Sequence, residues 1–187
     1  MRTVREFINA GVAGVHIEDQ LFPKRAHYHK YVAHAIPVEE FAHKIRYACR
    51  ERDETDPDFV VIVRSDTCRF EGFDEAVKRV NMGAEEGADM GLIFPTNHEE
   101  AVQAPKECTL PLVYVQSRGN RDGRPLYGNN ELQDMGYKAC IDAQLWLMVS
   151  FHNAKKALEE IHATGSYTGM TDEENIAVRQ GIEDAIG

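Results

Sequence analysis

The chain has 187 residues, 43% of them hydrophobic, and a formal net charge of −10 at pH 7. This length is enough to bury the core of one domain, and the acidic balance argues against nucleic acid or an anionic membrane as the main partner. No apolar run approaches the roughly 18 residues of a membrane-spanning helix, and the first residues do not resemble a signal peptide. The four cysteines are widely scattered, so we expect reduced thiols and a cytoplasmic protein.

The chain alternates segments that have the periodicity of helices with segments that have the periodicity of strands. In chain order, the pattern predicts a helix at 3–10, a strand at 13–17, a helix at 38–45, a strand at 59–63, a helix at 72–86, strands at 88–94, 110–115 and 138–141, a helix at 144–163 and a last helix starting near Thr171. Pro37 stands where the first turn of a helix would lie, and the residues from Thr171 to Glu174 resemble a capping box.

Repeated helix–strand units of about 25–45 residues indicate a parallel sheet with right-handed crossovers. Five strands are predicted, whereas an eight-stranded barrel of this type typically needs about 250 residues. We therefore expect an α/β fold that is an N-terminally truncated (β/α)8 TIM-type barrel over residues 1–165, with about five of its eight strands. Residues 166–187 would form a C-terminal helical extension. A complete, doubly wound sheet of five strands remains an alternative.

Polar side chains follow every predicted strand. They are Glu18 and Asp19, then Arg64, Ser65 and Asp66, then Thr96, Asn97 and His98, then Gln116, Ser117 and Arg118, and finally Asp142. Because the carboxyl ends of parallel strands meet at one edge of the sheet, this pattern predicts an active site there.

Two adjacent carboxylates, Glu18 and Asp19, are followed within six residues by two cations, Lys24 and Arg25. Acids at a strand end followed by cations suit an anionic substrate held beside a metal ion, although a solvated strand end would look similar. Asp19 is interpreted as a residue that orients its neighbours. Arg64 lies directly after the apolar run 59–63 and therefore needs a buried partner.

Several segments, in this order, resemble the isocitrate lyase and phosphoenolpyruvate mutase superfamily. Residues 10–20 (AGVAGVHIEDQ) and 22–25 (FPKR) resemble its Glu-Asp-Gln strand and the residues that follow, and residues 63–66 (VRSD) resemble its Ala-Arg-Thr-Asp strand. The motifs EGFDEA, EGADM, FP, LY and MGYK then follow in the family's order. The resemblance covers roughly residues 3–165.

The resemblance implies roles for particular residues. Glu18 would join an Mg²⁺ site, largely through water, as a hard oxygen ligand. Arg64 would bind a substrate carboxylate bidentately, and Gln116 falls where lyases of the family usually have a carboxylate-binding Asn. Lys24 and Arg25 would lie on the loop that closes over the substrate. Family members carry further metal-site aspartates upstream, which would precede Met1.

Two positions depart from the lyase pattern. The loop cysteine, the presumed acid–base group of the lyases, is replaced by Ala26, so His27, His29 or Tyr28 would have to transfer the proton. The carboxylate expected after Phe94-Pro95 is replaced by Thr96. These departures put ordinary isocitrate or methylisocitrate cleavage in doubt.

The resemblance therefore predicts a Mg²⁺-dependent carbon–carbon bond lyase acting on a small 2-oxo or 2-hydroxy dicarboxylate. The alternatives are phosphorus–carbon chemistry of the phosphoenolpyruvate mutase or phosphonopyruvate hydrolase type, a decarboxylase, or a degenerate fragment without activity. Family members are typically tetramers that swap a C-terminal helix between subunits. We therefore expect a homo-oligomer whose partners are small carboxylates rather than nucleic acid or membranes.

Overall fold

The computed structural model describes residues 1–24, 33–120 and 123–187. Its chain divides into two compact units, Met1–Ala143 and Gln144–Gly187. The division that we expect at residue 165, between barrel and helical extension, stays a prediction.

The first unit alternates helices and strands. Its elements are α1 (Arg2–Asn9), β1 (Gly14–Glu18), α2 (Val38–Thr55), β2 (Val60–Arg64), a 3₁₀ turn (Thr67–Arg69), α3 (Phe73–Glu85), β3 (Met90–Leu92), α4 (His98–Glu107), β4 (Leu112–Gln116), α5 (Asn129–Met135) and β5 (Ala139–Asp142). All five predicted strands are present, each within a few residues of its expected bounds. Helices α4 and α5 were not predicted.

The strands of the described residues form one sheet in which every neighbouring pair is parallel and the spatial order is the chain order, β1-β2-β3-β4-β5. A doubly wound sheet reverses direction at a switch point and so does not keep chain order. The sheet is therefore a parallel half-barrel, as expected for part of a TIM-type barrel, and the doubly wound alternative is wrong.

The two faces of the sheet have different surroundings. Val61 and Val63 are fully buried, and Val63 packs so closely against α3 that a Cβ atom on Gly83 would lie 2.6 Å from it. Since side chains alternate along a strand, Arg64 belongs to the opposite face. The register pairs Glu18 with Arg64 and His16 with Ile62, which places both β1 residues on Arg64's face.

The core lies between the sheet and its helices. Its largest fully buried side chains include Phe41 and Ile45 of α2, Val80 of α3, and Leu112 of β4. Close packing of this layer holds the carboxyl ends of the strands in fixed positions.

The second unit consists of two helices, α6 (Leu145–Thr164) and α7 (Asp172–Ile186). Helix α6 ends at Gly165, whose φ of +77° a glycine adopts without strain. The predicted capping box at α7 is confirmed, because Glu174 N donates to Thr171 Oγ1 at 3.2 Å and Thr171 N donates to Glu174 Oε2 at 2.8 Å. Among the described residues, no helix is long and apolar enough to cross a membrane.

Candidate functional site

Arg64 stands at the centre of a group of charged side chains at the carboxyl ends of β1 and β2. Its Nε and Nη2 donate to the two carboxylate oxygens of Asp66 at 2.8 and 3.0 Å. Nη2 also lies 3.3 Å from Glu18 Oε2, and the side chain is only 15% exposed. The arginine therefore has the buried partner that its position requires, and its bidentate partner in this structure is Asp66.

Lys24 joins the same group from the segment after β1. Its Nζ lies 2.5 Å from Glu18 Oε2, while Lys44 Nζ donates to the backbone carbonyl of Glu18 at 2.7 Å. The structure thus brings together three of the predicted site residues, Glu18, Lys24 and Arg64. The predicted residues Arg25, His27 and His29 lie outside the described part of the chain.

His16, which lies in the middle of β1, also belongs to this site. Its Nδ1 lies 3.5 Å from Arg64 Nη1. The pKa of His16 is lowered, mainly because folding removes water from the ring and also because the Arg64 cation is close. A neutral imidazole can accept a hydrogen bond from Arg64. Strand alternation, which places residues 16 and 18 on one face, could have identified it.

An aromatic ring lies beside the guanidinium of Arg64. Arg64 Cζ is 4.8 Å from the centroid of the Phe94 ring, and Arg124 Cζ is 5.0 Å from the same centroid. Arg124 is buried, and burial lowers its pKa. Asn120 holds the backbone there, accepting from Arg124 N at 3.0 Å and donating to Arg124 O at 3.1 Å. Sequence reasoning missed Arg124, because it follows a loop with no motif.

Gln116 has a different environment from the one its position after β4 suggests. Its Nε2 donates to the backbone carbonyl of Tyr127, and Tyr127 N donates to its Oε1 at 3.4 Å. It shares a strand face with Tyr114, which packs on Tyr137 and is part of the core. That face is the helix side of the sheet, opposite to Arg64. Substrate binding by Gln116 stays a prediction.

A carboxylate does approach the position where Thr96 replaces the expected acid. Thr96 N and Oγ1 donate to Glu100 Oε2 at 2.6 and 2.9 Å. Glu100 comes from the first turn of α4, whose N-cap is Asn97. Because α4 was not predicted, no pattern in the sequence placed residue 100 beside residue 96.

The described residues do not by themselves form a complete magnesium site. No group of three or more His, Cys, Asp or Glu side chains among them is arranged to hold a metal ion. Glu18 can supply one oxygen ligand, but two cations, Lys24 and Arg64, already contact its carboxylate. Mg²⁺ requires near-octahedral oxygen coordination, so the other ligands must come from substrate, water or residues outside this set.

The three buried thiols of the described residues are unsuited to replace the loop cysteine. All four are free, and Cys49, Cys68 and Cys108 are buried. Burial raises the pKa of Cys68, which lies in the turn after β2, to about 12. Such a thiol stays protonated near neutral pH and is a poor proton-transfer group.

Comparisons with known proteins agree with the fold. A family model described as phosphoenolpyruvate phosphomutase matches residues 1–162. The chain is 34% identical to 2,3-dimethylmalate lyase of Eubacterium barkeri over 161 residues, which are 86% of this chain and 53% of the relative.

Two solved structures are also similar. Oxaloacetate acetylhydrolase in complex with the inhibitor 3,3-difluorooxalacetate matches with a TM-score of 0.87 and 27% identity, over 99% of this chain and 63% of that one. Phosphonopyruvate hydrolase with oxalate and Mg²⁺ matches with a TM-score of 0.75 and 25% identity, over 98% and 64%. The chain spans about half the length of the curated relative, with 53% of it covered. Sequence, fold and family model agree that the chain belongs to the phosphoenolpyruvate mutase/isocitrate lyase superfamily.

Proposed function

We propose that the protein is a Mg²⁺-dependent lyase that cleaves a carbon–carbon bond next to a carbonyl in a small 2-oxo or 2-hydroxy dicarboxylate. The observation that carries this proposal is the contact between Glu18, Lys24 and Arg64 at the carboxyl end of a parallel half-barrel. The similarity to a 2,3-dimethylmalate lyase supports the reaction class.

Arg64 would bind a substrate carboxylate. Its Nε and Nη2 hold Asp66, which leaves Nη1, on the side of His16, as the nitrogen best placed for substrate. Bidentate hydrogen bonding to the substrate would require Arg64 to break its hydrogen bonds to Asp66. Lys24 would stabilise negative charge next to Glu18, and Gln116 would reach substrate only by releasing Tyr127.

For residues 25, 27 and 29 the proposal rests on sequence alone. Arg25 would add a second cation to the segment that carries Lys24, and His27 or His29 would transfer the proton that a cysteine transfers in lyases.

A divalent cation would add to the positive charge that holds a dianionic substrate. Glu18 and Asp66 balance Lys24 and Arg64 in the ion pairs of the site, and Lys44 and Arg124 are further cations nearby. Mg²⁺ with Glu18 as one ligand would offset the negative charge of Glu18 and of the substrate carboxylates.

The test of the lyase proposal is substitution of Arg64. Arg64→Gln removes the cation that would hold the carboxylate, so we expect kcat/KM for dicarboxylate cleavage to fall about 100-fold or more. Arg46→Gln is a matched control, because Arg46 also binds a carboxylate bidentately, that of Glu86, but through a more exposed pair on the helix layer. An unchanged kcat/KM in Arg64→Gln would contradict the assignment.

A second candidate is phosphorus–carbon chemistry on phosphonopyruvate. The family model described as a phosphomutase and the similar phosphonopyruvate hydrolase structure favour it. Phosphorus-31 NMR separates the candidates, since phosphate or phosphoenolpyruvate forms from phosphonopyruvate only in the second case. No turnover of either substrate and no affinity for Mg²⁺ would favour a non-catalytic role.

We further propose that the protein acts as a homo-oligomer, a tetramer by resemblance to its superfamily, in the cytoplasm. Large apolar side chains exposed on α6 and α7, Trp146 and Ile186 among them, support association.

A further inference from the structure

Asp19 is fully buried at the end of β1, next to Glu18, and it contacts the turn that follows β2. Ser65 Oγ donates to Asp19 Oδ2 at 2.6 Å, and the backbone amide of Asp66 donates to Asp19 Oδ1 at 3.1 Å. Ser65 Oγ also lies 2.7 Å from Thr67 Oγ1. One carboxylate thus holds both residues that directly follow Arg64.

The same carboxylate is connected to the segment that carries Lys24. Arg79 Nη1 of α3 lies 3.7 Å from Asp19 Oδ2 and donates to the carbonyl of Ile36 at 2.9 Å. Ile36 N in turn donates to the carbonyl of Asp19 at 2.8 Å. Asp19 and Ile36, which flank residues 20–35, therefore bind each other through their backbones, and both contact Arg79, the buried partner of Asp19.

We propose that Asp19 is a positioning residue for substrate binding, acting through Ser65 and the amide of Asp66 on Arg64. The hydrogen bonds to a buried charge are strong and directional. They fix the backbone at residues 65 and 66, and with it the carboxylate of Asp66 that orients the Arg64 guanidinium. This inference rests on the proposed function, because Arg64 is the group that Asp19 would position.

A second carboxylate of the chain, Asp89, has similar hydrogen-bond partners but is more exposed, and it provides a control. Asp89 Oδ2 accepts from the backbone amide of Val61 at 2.7 Å and from Arg52 Nη1 at 2.6 Å. Each of the two carboxylates therefore accepts from a backbone amide and pairs with an arginine. Asp19 does so just after the carboxyl end of β2, where Arg64 lies, and Asp89 does so near the amino end of β2. Loss of stability alone would affect both variants, whereas loss of positioning would affect only the first.

The experiment compares Asp19→Asn with Asp89→Asn. Thermal unfolding measures stability, and calorimetric titration with oxalate in the presence of Mg²⁺ measures the site. Oxalate is the probe because it occupies the phosphonopyruvate hydrolase structure to which this chain is similar. We expect both variants to unfold at lower temperature, and only Asp19→Asn to bind oxalate more weakly, by about tenfold or more. Equal changes in affinity, or none, would overturn the proposal.

Ser65→Ala keeps the proposal testable if Asp19→Asn does not fold. This change removes the 2.6 Å hydrogen bond from Ser65 to Asp19 and leaves the Asp19–Arg79 pair in place. We therefore expect oxalate affinity to fall, as in Asp19→Asn. In the double variant the two effects should not add, because they interrupt one connection. Full additivity, or wild-type affinity in Ser65→Ala, would overturn the proposal.

A failure of the proposed function is distinguishable. If the wild-type protein does not bind oxalate, that function fails, and the NMR signal of Arg64 Nε–H decides the positioning role. We expect this signal to shift or broaden in Asp19→Asn and to stay unchanged in Asp89→Asn. An unchanged signal in Asp19→Asn would overturn the inference.

Discussion

His16 and Arg64 form a pair whose energy depends on pH. A protonated imidazolium 3.5 Å from Arg64 Nη1 would place two positive charges side by side. Folding lowers the pKa of His16 below its ordinary value of 6.5, so the unfolded chain binds more protons just below that pH. The contribution of His16 to the free energy of unfolding is therefore unimpaired above about pH 6.5 and falls as the solution becomes more acidic.

We expect His16→Gln to lose less stability than the wild type between about pH 7 and pH 5, because glutamine does not titrate. The measurement is the free energy of unfolding in urea at several pH values. His43→Gln, which removes an exposed imidazole of α2, should keep the wild-type pH dependence. Identical pH dependence in His16→Gln and wild type would contradict the prediction.

At the scale of single residues, the sequence predicted which polar residues end the strands better than it predicted the face of the sheet on which their side chains lie. Arg64 after an apolar run required a buried partner, and Asp66 is that partner. Gln116 also ends a strand, but the alternation of side chains sends it to the helix side, where it binds the backbone of Tyr127. Which alternate residues of a strand face the helices depends on the register of that strand with its neighbours. This register is a property of the assembled sheet.

Among the elements, the strands and the longer helices could be predicted because their apolar spacing is regular. Helix α5 has seven residues, too few for a clear period. Helix α4 contains Pro105, a residue that normally ends a helix. The carbonyl that this proline leaves without its helical donor is bound by a residue distant in sequence, which no local pattern reveals.

That contact replaces the hydrogen bond that Pro105 cannot make. Proline has no N–H, so the carbonyl of Ala101, four residues earlier, loses its usual helical donor. The hydroxyl of Tyr137 donates to this carbonyl at 2.9 Å in a buried environment. Burial also raises the pKa of Tyr137, which keeps the hydroxyl protonated and able to donate.

We expect Tyr137→Phe to destabilise the protein by about 1–3 kcal/mol, because it leaves the Ala101 carbonyl buried without this donor. Pro105→Ala restores an N–H that can reach the same carbonyl, so the double variant should recover part of the loss. Chemical unfolding of the two single variants and the double variant measures this coupling. If Tyr137→Phe costs the same with and without proline, the hydroxyl does not compensate for Pro105.

At the scale of the whole molecule, helix–strand alternation was sufficient to predict a parallel sheet but not its sequential strand order, since it left a doubly wound sheet open. The association of chains was predicted only by resemblance, and the surface of the second unit now gives it a physical basis. Neither α6 nor α7 contains a buried residue. Trp146, Phe151 and Leu158 of α6 are 77, 67 and 66% exposed, more apolar surface than a helix in water normally presents.

We expect the protein to be a homo-oligomer at micromolar concentration, because burying these side chains against another copy removes apolar surface from water. Sedimentation equilibrium should give a mass that is a multiple of the chain mass. Phe151→Glu and Leu158→Glu should shift it toward the monomer, since each would place a charge in the apolar contact. His152→Glu adds the same charge at an exposed position 100° or more around the helix from Trp146, Phe151 and Leu158, and it should leave the mass unchanged. A monomeric wild-type protein would contradict the prediction, and equal dissociation by all three variants would show that the apolar residues named here do not form the contact.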